Sequence, residues 1–170
     1  MPIDNCVHSF SKLSQIILPA HMKRMRQAIK SPFKMSLFCQ PGSGKQSILR
    51  TLNRSADLKG CYVLLHKKKP IYVGISRSVL QRVMQHVRGK THFDASLAYR
   101  MTADKCPSKS HRSAAMSDPQ FRKEFERVKK HLSTHYIAFI EIDNDLELYL
   151  FEAFCALELK TSKWNTFRTH

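Results

Sequence analysis

Five side chains of chemically useful type punctuate this chain: Tyr62, Tyr72, Arg82, His86 and Glu152. The first four lie within "GCYVLLHKKKPIYVGISRSVLQRVMQH", residues 60–86, a stretch with no acidic residue. Guanidinium and imidazole groups suit a phosphate, one by charge-assisted hydrogen bonds to an oxyanion, the other by exchanging a proton near neutrality. A phenol, with a reference pKa of about 10, is a poor base at neutral pH unless cations lower that value. Glu152 supplies the missing acid from far along the chain. Placed at about 100° per residue on a helix spanning 145–159, it points away from Glu147 and Glu158, which share a side suited to water, and falls among Leu148, Ala156 and Leu159. An ionised carboxylate on an apolar face needs a structural arginine, a hydrogen-bond network or a cation beside it. The helix alone does not choose between them.

The elements that position these groups follow from periodicity. Residues 61–65 and 70–74 read as two strands, joined by His66–Lys68 as a three-residue turn; in that register Tyr62 lies opposite Tyr72 and both phenols share a face. Taken singly, such tyrosines read as packing residues. Leu80, Val83, Met84 and Val87 mark a helix over 77–88, with Arg82 and His86 four apart on an exposed edge away from the apolar stripe. Taken alone, that pair reads as a solvated basic edge. Residues 10–31 form two helical pieces broken near Pro19, and a further helix covers 92–103. A polar basic loop runs through 104–118, Asp118 caps a helix that begins at Pro119, and a strand covers 136–142 before the helix of Glu152.

Charge narrows the function class. Lys and Arg number 29 against 13 Asp and Glu, a net charge of +16, which points to a polyanionic partner, nucleic acid ahead of a membrane surface. The acids are unevenly placed: up to residue 93 only Asp4 and Asp57 occur, while Glu141, Asp143, Asp145, Glu147, Glu152 and Glu158 crowd into 141–158. A protein that only binds polyanions gains nothing from such a cluster, whereas one that also holds a divalent metal does. Five scattered cysteines without a CxxC pair fit reduced thiols rather than a disulfide framework or zinc knuckle. With no apolar run of transmembrane length and no signal-peptide pattern, a cytoplasmic protein without a membrane partner is expected. At 170 residues the chain is expected to be one domain, alone or with a small appendage, able to bury a real core.

Together these pieces resemble the GIY-YIG endonucleases. Gly60-Cys61-Tyr62 matches the family's first motif, with Cys61 in place of the usual isoleucine or valine, and Tyr72-Val73-Gly74 matches the second. Arg82 follows Gly74 by eight positions, as the family's catalytic arginine does. His86 stands one turn later, Glu152 matches the metal-binding glutamate of a late helix, and Asn165 in "TSKWNTFRTH" matches the closing asparagine. The resemblance covers about 58–170, with an inserted loop and helix region at about 90–135, and leaves 1–57 as a basic helical extension. It implies an α+β fold with a small three-stranded antiparallel sheet flanked by helices, and one divalent cation, Mg²⁺ or Mn²⁺, held by Glu152. It implies that Tyr62 helps generate the attacking hydroxide, that Arg82 stabilises charge on the scissile phosphate, and that Tyr72 and His86 orient water or phosphate or shuttle the proton. Gly60, Gly74 and Asn165 support the site, and products carry 5′-phosphate and 3′-hydroxyl ends. The implied partner is DNA, with RNA left open, and Lys67, Lys68, Lys69, Arg77, Arg88 and Lys90 are candidate backbone contacts. The rival reading is a catalytically silent nucleic-acid-binding protein on the same fold.

Three other features carry less. "CQPGSGKQS" (39–47) suggests a phosphate-binding loop, but has Cys39 and Gln46 where the pattern needs glycine and a hydroxyl residue, so a nucleotide-dependent switch is the third and weakest reading. His131 and His135, without a third ligand at suitable spacing, read as surface residues at a helix end. The N-terminal "HMKRMRQAIK" is either a DNA-backbone contact or a surface helix that completes the core.

Overall fold

The computed structural model describes residues 2–108 and 110–167; residues 1, 109 and 168–170, at the outer ends of the predicted segments and inside the predicted insertion, lie outside the described residues. In chain order its elements are α1 (Phe10–Lys12), α2 (Leu18–Lys30), β1 (Phe33–Lys34), α3 (Lys45–Thr51), β2 (Gly60–His66), β3 (Lys69–Ser76), α4 (Val79–Arg88), α5 (Ser96–Lys105), α6 (Arg112–Ser117), α7 (Pro119–Leu132), β4 (Tyr136–Glu141) and α8 (Asp145–Glu158). They fall into two compact units, one of Met1–Phe33, Asp57–Val79 and Tyr136–His170, the other of Lys34–Ala56 and Leu80–His135.

The sheet has four strands in the order β1-β4-β2-β3, one more than expected, with β2 antiparallel to both β3 and β4. The extra strand is two residues long, too short to carry any periodicity, and the Phe33 ring stacks on Phe139 of β4 at 5.3 Å. The expected strand register also needs correction. Tyr62 pairs with Gly74 and Tyr72 with Leu64, so the tyrosines are diagonal neighbours rather than opposite ones. A bulge between Leu64 and Leu65 and a two-residue turn at Lys67 and Lys68 replace the expected three-residue turn. Both turn lysines have positive φ, 48° and 66°, as the tight turns that match strand twist require. Because the shift is two residues, both phenols stay on one face.

The other face of the sheet carries the core. Cys61, Val63, Leu65, Val73, Ala138 and Ile140 pack with Leu18, Met22 and Met25 of α2 and with Leu148, Phe151, Cys155 and Ala156 of α8. Of the two readings left open for the N-terminal helix, this shows that it completes the core. The predicted break near Pro19 does not occur: a π-helical turn at Leu13–Ile17 leads directly into α2, with Pro19 in its first turn. The wider turn gives room where the proline ring would meet the carbonyl one turn back.

In the second unit Phe121, Phe125 and Leu132 of α7 are buried, and Tyr99 of α5 lies 5.4 Å from the Phe121 ring. Asp118 caps α7 as expected, accepting from the Phe121 amide at 2.7 Å. The stretch 104–118 is not a plain loop, because Ala115 and Met116 are buried on α6. His135 is also no surface residue: it is 3% exposed, its Nδ1 lies 3.0 Å from the His131 carbonyl, and the two rings meet edge-on at 4.8 Å.

Candidate active site

β2 is the central strand, and its motif residues alternate between the two faces. Gly60 sits where β2 approaches β4 so closely that a Cβ would run into the Ile140 carbonyl. Gly74 is required for a different reason. The Tyr62 ring lies directly over it, and a Cβ there would stand 2.5 Å from both the Tyr62 hydroxyl oxygen and Cζ. The second motif's glycine is therefore the seat of the first motif's tyrosine. Tyr62 is 1% exposed, Tyr72 is half-buried beside it, and their ring centroids are 6.2 Å apart.

β3 is the edge strand, and Asn165 closes part of that edge. Its Oδ1 accepts from the Val73 amide at 2.9 Å and its Nδ2 donates to the Val73 carbonyl at 2.8 Å. The side-chain amide thus takes the place of one residue of a neighbouring strand, one position from Tyr72.

Burial, and then the neighbouring Cys155, raise the pKa of the Cys61 thiol, and Glu152 on α8 lies close enough for its charge to add to the rise. Burial also pushes the Glu152 carboxyl above the usual carboxylate range. The acids around it are accounted for differently. Asp145 meets Lys59 and Arg77, and Glu158 meets Arg26 at 2.8 Å. Glu147, expected to face water, is only 15% exposed and meets His21 at 3.0 Å and His8 at 3.8 Å. The helical wheel missed this because α2, itself rich in polar residues, covers that side of α8. Among the described residues Glu152 has no hydrogen bond and no ion pair.

Arg82 and His86 belong to the second unit, on α4. They do not form an exposed edge. His86 is completely buried with Val79, Leu80 and Val83, taking the next place in the apolar stripe, while Val87 is half-buried. Burial, together with the positive charge of Arg82, pushes the His86 pKa down to about 3, so the imidazole is neutral at physiological pH. The Arg82 guanidinium is held by three acceptors: Nη1 donates to the Asp94 carbonyl at 2.8 Å and to Gln85 Oε1 at 3.1 Å, and Nη2 to Ser96 Oγ at 2.8 Å. Gln85 lies one turn away on the same helix, but Asp94 and Ser96 were not visible in the sequence, since they lie across a turn with no periodic signal.

A family model described as the GIY-YIG catalytic domain matches residues 58–165. The chain belongs to the GIY-YIG family. No curated protein and no solved structure matches it significantly. The GIY-YIG family generally comprises nucleases, hydrolases that act on nucleic acid and generally depend on a divalent metal, and membership suggests nuclease activity for this chain. The match begins at the residue before Lys59 and ends on Asn165, so it contains every motif residue named above.

The remaining candidates sort by what their side chains touch. Lys67, Lys68, Lys69 and Lys90 are exposed, and Arg77 is exposed at the edge of its ion pair with Asp145. Arg88 is engaged: its Nε donates to the Phe38 carbonyl at 2.6 Å and Nη2 to that of Gln40 at 3.3 Å. The glycine-rich loop at 41–44 follows a 3₁₀ turn, Met35–Phe38, rather than the strand a phosphate-binding loop needs, and leads into the seven-residue α3. Among the described residues no helix is long and apolar enough to cross a membrane.

Proposed function

We propose that this GIY-YIG protein is a cytoplasmic, divalent-cation-dependent endonuclease that cuts DNA to leave 5′-phosphate and 3′-hydroxyl ends. The observation that carries the reading is Glu152: a half-buried carboxylate with no basic partner among the described residues, in a chain with a net charge of +16. A carboxylate so placed is stabilised by a hard cation on oxygen, and Mg²⁺ or Mn²⁺ takes one protein carboxylate readily because it keeps most of its water. Such a cation, when bound, supplies Lewis acidity and eases ionisation of water.

The protein's own groups do the rest. The Tyr62 phenol, packed on Gly74, is aimed by that contact and is the group assigned to take a proton from the attacking water. Tyr72 orients water or phosphate beside it. Arg82 offers its remaining donors to the scissile phosphate, where they count for more as charge grows in the transition state. Neutral His86 can accept a hydrogen bond without adding repulsion beside Arg82. Asn165 and Gly60 hold the two strands to which the tyrosines are attached. The exposed Lys67, Lys68, Lys69, Arg77 and Lys90 are assigned to the DNA backbone, while Arg88 is left to its two carbonyls.

Cleavage of supercoiled, linear duplex and single-stranded DNA, and of RNA, with Mg²⁺, Mn²⁺ or EDTA tests this, with Glu152→Ala alongside. Metal-dependent cutting lost in Glu152→Ala, with binding retained, is the expected result. Binding without cutting by the unaltered protein on every substrate would move the reading to a silent nucleic-acid binder.

A further inference from the structure

All three acceptors around Arg82 are uncharged: a main-chain carbonyl, a side-chain amide and a hydroxyl. That selection is unusual, because a carboxylate is at hand on the same residue that offers the carbonyl. The Asp94 carboxylate is instead turned to Thr91, whose hydroxyl donates to Asp94 Oδ2 at 2.7 Å and accepts from the Asp94 amide at 3.1 Å. An arginine that only staples a loop is best served by an acid, which gives a stronger, bidentate bond. One that must keep its charge for something else is best held by neutral acceptors.

We infer that Gln85 and Ser96 are positioning residues for Arg82, fixing the direction of its guanidinium while leaving its positive charge uncancelled for phosphate. The inference rests on the assignment of Arg82 to the scissile phosphate. The holder is itself rigid. The Ala95 amide donates to the Thr91 carbonyl at 3.0 Å, Ala95 and Leu97 are buried, and the His92 ring, 9% exposed, packs 5.7 Å from Tyr99. Gly89 admits the turn, because a Cβ there would stand 2.5 Å from the Asp94 Cβ, and Lys129 donates to the Gly89 carbonyl at 2.8 Å. The start of the inserted region is thus a mount for an arginine on α4. Long side chains that act at a reacting phosphate need such a mount, since small misplacements of a catalytic group are costly in rate.

Gln85→Glu is the deciding variant. It keeps the size and the acceptor but places a negative charge against the guanidinium. A DNA cleavage assay is expected to show kcat falling by about tenfold to a hundredfold, as for a misplaced catalytic group, with the melting temperature unchanged or raised. Ser96→Ala is expected to lower kcat with KM unchanged, and Ser96→Thr to restore it. If Gln85→Glu and Ser96→Ala both keep the unaltered kcat while Arg82→Ala is inactive, the positioning role is overturned and the assignment of Arg82 stands. If Gln85→Glu only raises stability and Arg82→Ala still cuts, Arg82 is a structural staple and both ideas fail. Unaltered protein that cuts no nucleic acid removes the nuclease reading, and this inference with it.

Discussion

Asn165 satisfies both backbone groups of Val73, donating to its carbonyl at 2.8 Å and accepting from its amide at 2.9 Å. The pairing requires an amide, since only a side chain with both donor and acceptor can mimic a strand neighbour. Asn165→Asp keeps the acceptor and sets a carboxylate against the Val73 carbonyl. It is expected to cost about 1–3 kcal/mol in urea unfolding, the usual range for leaving a half-buried polar group facing the wrong partner. Asn165→Gln, with an extra methylene, is expected to recover little of this because the edge fixes the distance.

The two motif glycines differ in what a side chain would strike. At Gly74 the obstacle is the Tyr62 ring, at Gly60 the backbone of Ile140. A ring can rotate, whereas a paired strand cannot move without breaking its ladder. Gly60→Ala is therefore expected to destabilise more than Gly74→Ala, whose cost falls in the overpacking range of about 1–3 kcal/mol. A double-mutant cycle of Gly74→Ala with Tyr62→Leu should show strong coupling, and additive costs would mean the contact is unimportant.

His86 gives the protein an acid-sensitive stability. Its folded pKa, about 3, lies below the value near 6.5 of an unfolded histidine, so the unfolded chain binds the extra proton between those limits. Stability due to this group is complete above the unfolded pKa and is lost as pH falls toward the folded one. Between pH 6.5 and 5 the loss is on the order of 2 kcal/mol. Glu152, whose carboxyl is raised by burial, contributes with the opposite sign. Urea unfolding at both pH values, comparing unaltered protein with His86→Gln, isolates the histidine: the variant is expected to show a flatter pH dependence.

Glu152 is expected to be a case of function opposed to stability. Removing its charge in Glu152→Gln relieves the desolvated carboxylate and should raise the melting temperature in EDTA. Added Mg²⁺ or Mn²⁺ should raise the melting temperature of the unaltered protein and leave that of the variant unchanged, by the mass action of a ligand that binds only the folded form. Equal metal shifts in both proteins would place the cation elsewhere.

Lys67 and Lys68 both occupy left-handed backbone conformations that asparagine and glycine tolerate better. Replacing the pair by Asn-Gly is expected to stabilise the hairpin by roughly 0.5–1 kcal/mol. If both lysines meet phosphates, the same change should weaken DNA binding alike for all sequences and lower the salt slope by about 2. A fluorescence anisotropy titration at several salt concentrations reads both quantities.

The parts of this protein legible in its sequence are those governed by strong local rules. The β2–β3 hairpin, the Asp118 cap and the extent of α8 follow from alternation, capping chemistry and helical period, and each is found within a residue or two. Glu152 was singled out by the same periodicity. What escaped depends on partners distant in the chain. β1 exists only because Phe33 stacks on Phe139, Glu147 is covered because α2 lies against α8, and the mount of Arg82 is built by a turn without a pattern. His86 misled because the stripe was drawn through Leu80, Val83 and Val87, whereas the buried side of α4 extends round to Val79 and His86.

The order of strands in the sheet also bears on how the protein is made. β2, which carries Tyr62, pairs on one side with its immediate neighbour β3, but on the other with β4, which follows the whole of α4–α7 in the chain. On the ribosome the hairpin must therefore wait several seconds, at about 5–20 residues per second, with one edge of its central strand unpaired. Glu152 emerges later still. A chain cut short before β4 is thus a sticky hairpin that also lacks Glu152.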